Sequence, residues 1–83
     1  MLKARQEFGS FWEMMQVYRK LKERGQPEQD WYYWDKQMAH HMKIAKRYRS
    51  YNHPRKRLAF DKWDGCLQKR SQIQVLMPLL ESE

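Results

Sequence analysis

The chain has 83 residues and a formal net charge of +7, from 17 Lys and Arg against 10 Asp and Glu. At this length it is expected to form one small domain, whose apolar burial narrowly exceeds chain entropy unless a metal, disulfides or a partner surface contributes. The single cysteine, Cys66, excludes an intramolecular disulfide and a cysteine-pair zinc site and suits a reducing compartment, while no apolar run approaches the roughly 20 residues of a transmembrane helix.

Met1 to Gln16 carries no continuous apolar stretch followed by a small-residue cleavage site, so secretion is not expected. Lys3 and Arg5 with Phe8, Phe11 and Trp12 outline a weakly amphipathic import helix, against which Glu7 and Glu13 argue. Phe8, Phe11, Met15, Tyr18 and Leu21 step by three or four, which predicts a first helix over about 7–24 that Gly25 terminates. Pro27, followed by Glu28 and Asp30, suits a helix start, because proline sacrifices no bonded N–H there and the acids complement the dipole. Trp31, Trp34, Met38, Met42, Ala45 and Tyr48 then give the most regular stripe of the chain, a second helix over about 28–49. Pro54 pushes His53 out of the α region, so 50–53 reads as a break and Pro54 as the first residue of a third helix. That helix carries Leu58, Ala59, Phe60, Trp63 and Leu67, is expected to end near 76 at Met77 and Pro78, and leaves 77–83 as a frayed tail. The expected fold class is all-α: two to three extended helices in a single domain, with little independent core, ordered on a partner surface.

Positive charge is concentrated between Lys43 and Arg70. Ten bases face two acids there, Asp61 and Asp64, for a local charge of +8, whereas the remainder holds seven bases and eight acids. Like charges repel on folding, so a segregated cationic stretch points to a polyanionic partner, most simply a nucleic-acid backbone. Arg55, Lys56 and Arg57 directly follow Tyr51 and Pro54. A guanidinium fork grips phosphate and a tyrosine ring stacks on an unpaired base, which favours RNA over a merely solvated basic turn. The residues expected to contact RNA are Arg47, Arg49, Tyr51, Arg55, Lys56, Arg57, Lys62, Lys69 and Arg70.

Other chemistry is poorly represented. His40 and His41 are adjacent, about 100° apart on a helix, and no neighbouring Cys or Asp pattern completes a metal site. His53 beside Pro54 reads as a cap or a phosphate contact, and Cys66 as a packed or partly exposed thiol. No nucleophile with a positioned base is recognisable, so no enzymatic activity and no cofactor, metal or small-molecule substrate is expected. Three of the four tryptophans fall on or beside helical apolar stripes, which favours core or protein-interface use over a base-stacking platform and assigns Trp31, Trp34 and Met38 to a protein interface.

Phe11, Met15, Tyr18, Arg19, Lys20, Glu23, Arg24 and Gly25, in this order and spacing, resemble the first helix of the small-subunit ribosomal protein twenty-one family. The segment RYRSYNHPRKR, with Arg47, Arg49, Tyr51, Pro54, Lys56 and Arg57, is similar to the basic segment of that family, in which a tyrosine precedes a proline by three. Trp63, Asp64 and Cys66 resemble the aromatic, acid and cysteine of its mitochondrial branch. The matched pieces span somewhat over half the chain. The tryptophan-rich 31–42 segment looks like an insertion, and an apolar and acidic 75–83 stands where bacterial members have a polybasic end. The resemblance implies a helical protein on the platform of the small ribosomal subunit, bound to its ribosomal RNA and neighbouring ribosomal proteins and close to messenger RNA. It further implies support of translation initiation without catalysis, location in the mitochondrial matrix and no membrane contact. The alternative is a small accessory subunit of a mitochondrial respiratory or ATP-synthase complex, with the basic stretch facing anionic lipid.

Overall fold

A computed structural model describes residues 8–82, and these form three α-helices and no strand. Helix α1 spans Phe11–Arg24, α2 Pro27–Ala45 and α3 Pro54–Glu81. The expected start near Glu7, and the import helix built on Lys3 and Arg5, involve residues outside those described.

Local chemistry sets the ends of α1. The Ser10 hydroxyl accepts from the Glu13 N–H at 3.2 Å, and the Glu13 carboxylate accepts from the Gly9 N–H at 2.9 Å. This reciprocal capping starts the helix four residues later than the apolar pattern suggested and leaves Phe8 ahead of it as a buried anchor. At the other end Gly25 adopts φ 70°, and its N–H donates to the Leu21 carbonyl, a left-handed stop that glycine takes without a Cβ penalty. Arg24 then pairs with Asp30 across the connection at 2.8 Å.

Helices α2 and α3 form an antiparallel hairpin. Asp35 of α2 meets Arg70 of α3, while nearer the turn the Tyr48 carbonyl meets Lys56, so sequence separation shrinks toward the loop. Met38 and Ala45 on α2, and Ala59 and Cys66 on α3, are buried. Burial pushes the Cys66 thiol above its ordinary pKa, because the thiolate loses its hydration there. At the far end α1 lies across α3, and Phe8, Leu21, Ile73 and Leu76 make the core, flanked by Val17, Trp31, Trp34 and Leu80. Long helices over a thin core give a rod of 47 × 24 × 16 Å with a radius of gyration of 14.8 Å, against about 12 Å for a globular chain of this length.

Three expectations change. Helix α2 ends at Ala45, not near 49, because Arg47 and Tyr48 donate to Ile44 and Ala45 in a tightened turn. The helix expected to stop near 76 runs through Pro78 to Glu81: Leu80 packs on the Leu76 core, which outweighs the one backbone bond that proline removes. The Trp31, Trp34 and Met38 stripe does form an interface, but within the chain, as Met38 is buried and both tryptophans pack on the core.

Candidate nucleic-acid interface

The turn at 46–53 and the first half of α3 hold most of the cations expected to contact RNA, with Lys69 and Arg70 further along the helix. His53 begins α3: its Nδ1 accepts from the Arg55 N–H at 3.1 Å, and its ring stacks on Tyr48 with centroids 4.3 Å apart. His53 therefore caps the helix. Proline follows as the first helical residue, so Arg55 and Arg57 emerge from a fixed first turn.

Two of the nine expected RNA contacts are engaged inside the protein. Lys56 is only 8 % exposed; its Nζ donates to the Tyr48 carbonyl at 2.7 Å and lies 4.5 Å from the centroid of the Tyr51 ring. Arg70 pairs with Asp35 and sits 5.2 Å from the Trp31 ring centroid. Both cations tie α3 to α2 or to the turn; Lys56 does so buried beside its carbonyl, where the low local dielectric strengthens the bond, whereas the Arg70–Asp35 pair is partly exposed. Lys56→Ala should therefore destabilise the domain by about 2 kcal/mol by leaving the Tyr48 carbonyl without its donor, lowering the thermal midpoint by about 10 °C. Circular dichroism melting checks this, with Arg57→Ala expected within about 2 °C of wild type.

The other seven, Arg47, Arg49, Tyr51, Arg55, Arg57, Lys62 and Lys69, are exposed. Tyr51 is 76 % exposed over the Lys56 ammonium, so its ring is a cation-backed platform for a base. Arg55, Lys62 and Lys69 follow at intervals of seven, which drifts only about 20° per step on a helix, and form one line along α3 over roughly 21 Å. Arg55 and Lys62 flank one groove against α2, and Lys69 flanks the next with Lys20 and Arg24 of α1. Asp64 lies on the far side of α3 and Asp61 about 100° round from the line, with Arg57 between the two. The line is thus kept clear of the two acids of its own helix. Sequence reading identified its three members but not their alignment, although the heptad spacing was available to it.

No group of His, Cys, Asp or Glu among the described residues could hold a metal ion, and no helix among them is long and apolar enough to cross a membrane. Fold and surface define a small all-α domain with a cationic turn and third helix. No protein-family model, curated protein or solved structure matches the chain.

Proposed function

We propose that this chain is a structural RNA-binding protein of the small ribosomal subunit, a divergent mitochondrial member of the ribosomal family it resembles, acting without catalysis. The observation that carries the reading is the cationic line Arg55, Lys62 and Lys69, continued around the turn by Arg47, Arg49 and the exposed Tyr51. Its mechanism is phosphate neutralisation by the line, with Tyr51 stacking on a sugar or base. At about 3.4 Å per phosphate of a stacked strand, the 21 Å line matches roughly six phosphates. Small-subunit ribosomal RNA and neighbouring ribosomal proteins are the partners, and messenger RNA passes nearby.

The accessory-subunit alternative retains one supporting feature. Phe11, Trp12 and Leu79, near the start of α1 and the end of α3, are each at least half exposed, and exposed large apolar side chains are usual in protein-docking surfaces. Ultraviolet crosslinking in intact particles separates the two readings. A crosslinked peptide spanning Tyr51 to Arg57, in particles that follow the small-subunit RNA, is the expected result. Co-sedimentation with membrane complexes after nuclease treatment would overturn it.

A further inference from the structure

Beside the turn, α2 and α3 diverge around a groove of about 410 Å³. Its rim carries His40 and His41 from α2, Arg47 from the turn, and Arg55 and Lys62 from α3, and no carboxylate among the described residues lines it. Between them the lining is completed by Ile44, Tyr48, Ala59 and Leu58, and Leu58 is 53 % exposed. An aliphatic lining among these nitrogens is unfavourable surface for an isolated protein, since the leucine contacts water and the cations repel one another. Both costs fall when a flat or aliphatic group covers Leu58 and an anion sits among the nitrogens. The volume falls in the range of small-ligand sites, about 300–1,000 Å³.

We propose that the groove is a subsite for one nucleotide of single-stranded RNA, its phosphodiester among His41, Lys62 and Arg55 and its sugar or base over Leu58 and Ile44. This deepens the RNA reading and rests on it. A patch serving only long-range attraction needs no aliphatic lining, whereas a subsite requires the aliphatic residues, the cationic rim and the absence of acids together.

The histidines make occupancy pH-dependent. Burial, then the neighbouring His40 and Lys62, hold His41 below the usual histidine pKa, and the two imidazole centroids are 5.3 Å apart. His40 on its own helix and Lys62 on α3 act on His41, and Arg55 of α3 and Arg47 of the turn share the groove lining with it; all are positive or become so on protonation. The empty groove thus keeps His41 neutral near neutral pH. A phosphodiester reverses the local field and favours the imidazolium, so binding takes up a proton. A histidine whose pKa is higher in the complex than in the free protein strengthens binding fully below its free pKa. The gain is lost as pH rises through the pKa of the complex. One unit of such a rise corresponds to about a tenfold gain in affinity.

The test is anisotropy of a fluorescent single-stranded oligouridylate with the full chain at constant ionic strength, at about pH 5.5 and about pH 8, which bracket histidine titration. Wild type should bind about tenfold more tightly at the lower pH. His40→Gln/His41→Gln should bind at the higher pH within about twofold of wild type and lose the pH ratio, since neutral imidazole and amide differ little in charge. A ratio that survives in the double variant overturns the subsite, because the proton then enters elsewhere. Salt-sensitive wild-type binding with no pH ratio overturns the subsite and leaves the RNA reading standing. Absence of binding at both pH values removes the RNA reading and the subsite with it. Circular dichroism at both pH values verifies that the fold is intact.

Discussion

Replacing Arg55, Lys62 and Lys69 together by glutamine is expected to weaken single-stranded RNA binding roughly a hundredfold, taking about 1 kcal/mol for each exposed cation–phosphate pair. All three side chains are solvent-facing, and glutamine is nearly as good a helix former as lysine or arginine, so the helical signal should be unchanged. The dependence of affinity on salt should flatten as well, by about 2 to 3 units of log–log slope for three lost phosphate contacts. Arg57→Gln is the internal control. Arg57 lies between Asp61 and Asp64 around α3, so its removal should cost no more than about threefold, on the scale of a weak surface pair. Equal losses for Arg57→Gln and for any one member of the line would mean that net charge, and not the arrangement, governs binding.

Leu76→Ala is expected to have the largest effect on stability. Leu76 is wholly buried among Phe8, Leu21 and Ile73, where α1 crosses α3, and truncating a leucine at such a site costs about 2–5 kcal/mol. Total stability for a domain of this size is about 4–12 kcal/mol, so a large fraction goes. The loss is also local. The α2–α3 hairpin keeps Met38, Ala45, Ala59 and Cys66, whereas α1 depends on the Phe8, Leu21, Ile73 and Leu76 cluster for its buried contacts. Urea unfolding followed by circular dichroism should therefore lose the signal of α1 ahead of the hairpin, together with a change in tryptophan emission, since Trp31 and Trp34 flank the same cluster. A single transition shifted by less than about 1 kcal/mol would contradict this division of the core.

The sequence disclosed what depends on neighbours along the chain. Gly25 and Pro27 bound α1 and α2 where expected, and Pro54 opens α3, because left-handed glycine and first-turn proline act locally. It misplaced what depends on tertiary contact. Pro78 is kept helical by Leu80 packing on the Leu76 cluster, and the inward line of α3, Ala59, Cys66, Ile73 and Leu80 at intervals of seven, uses small residues in its first half, where the partner helix that buries them does not show in the sequence. Tyr48 continues the periodic stripe of α2 yet lies in the turn, held by the Lys56 hydrogen bond and the stack on His53. The candidate site divides in the same way. Exposed cations were recognisable as a charge bias, but Lys56 and Arg70 left the set only because Tyr48, Asp35 and Trp31 come from residues 8 to 39 positions away. The aliphatic part of the groove lining, Ile44 and Leu58, joins two helices, and no spacing within either one announces it.

Affinity for a small-subunit ribosomal RNA fragment, measured over a series of monovalent salt concentrations, tests the polyanion claim most directly. With about six phosphates engaged, log K should fall against log salt with a slope of roughly −4 to −5. A slope near zero would contradict it, since RNA held without release of counterions is not held by these cations.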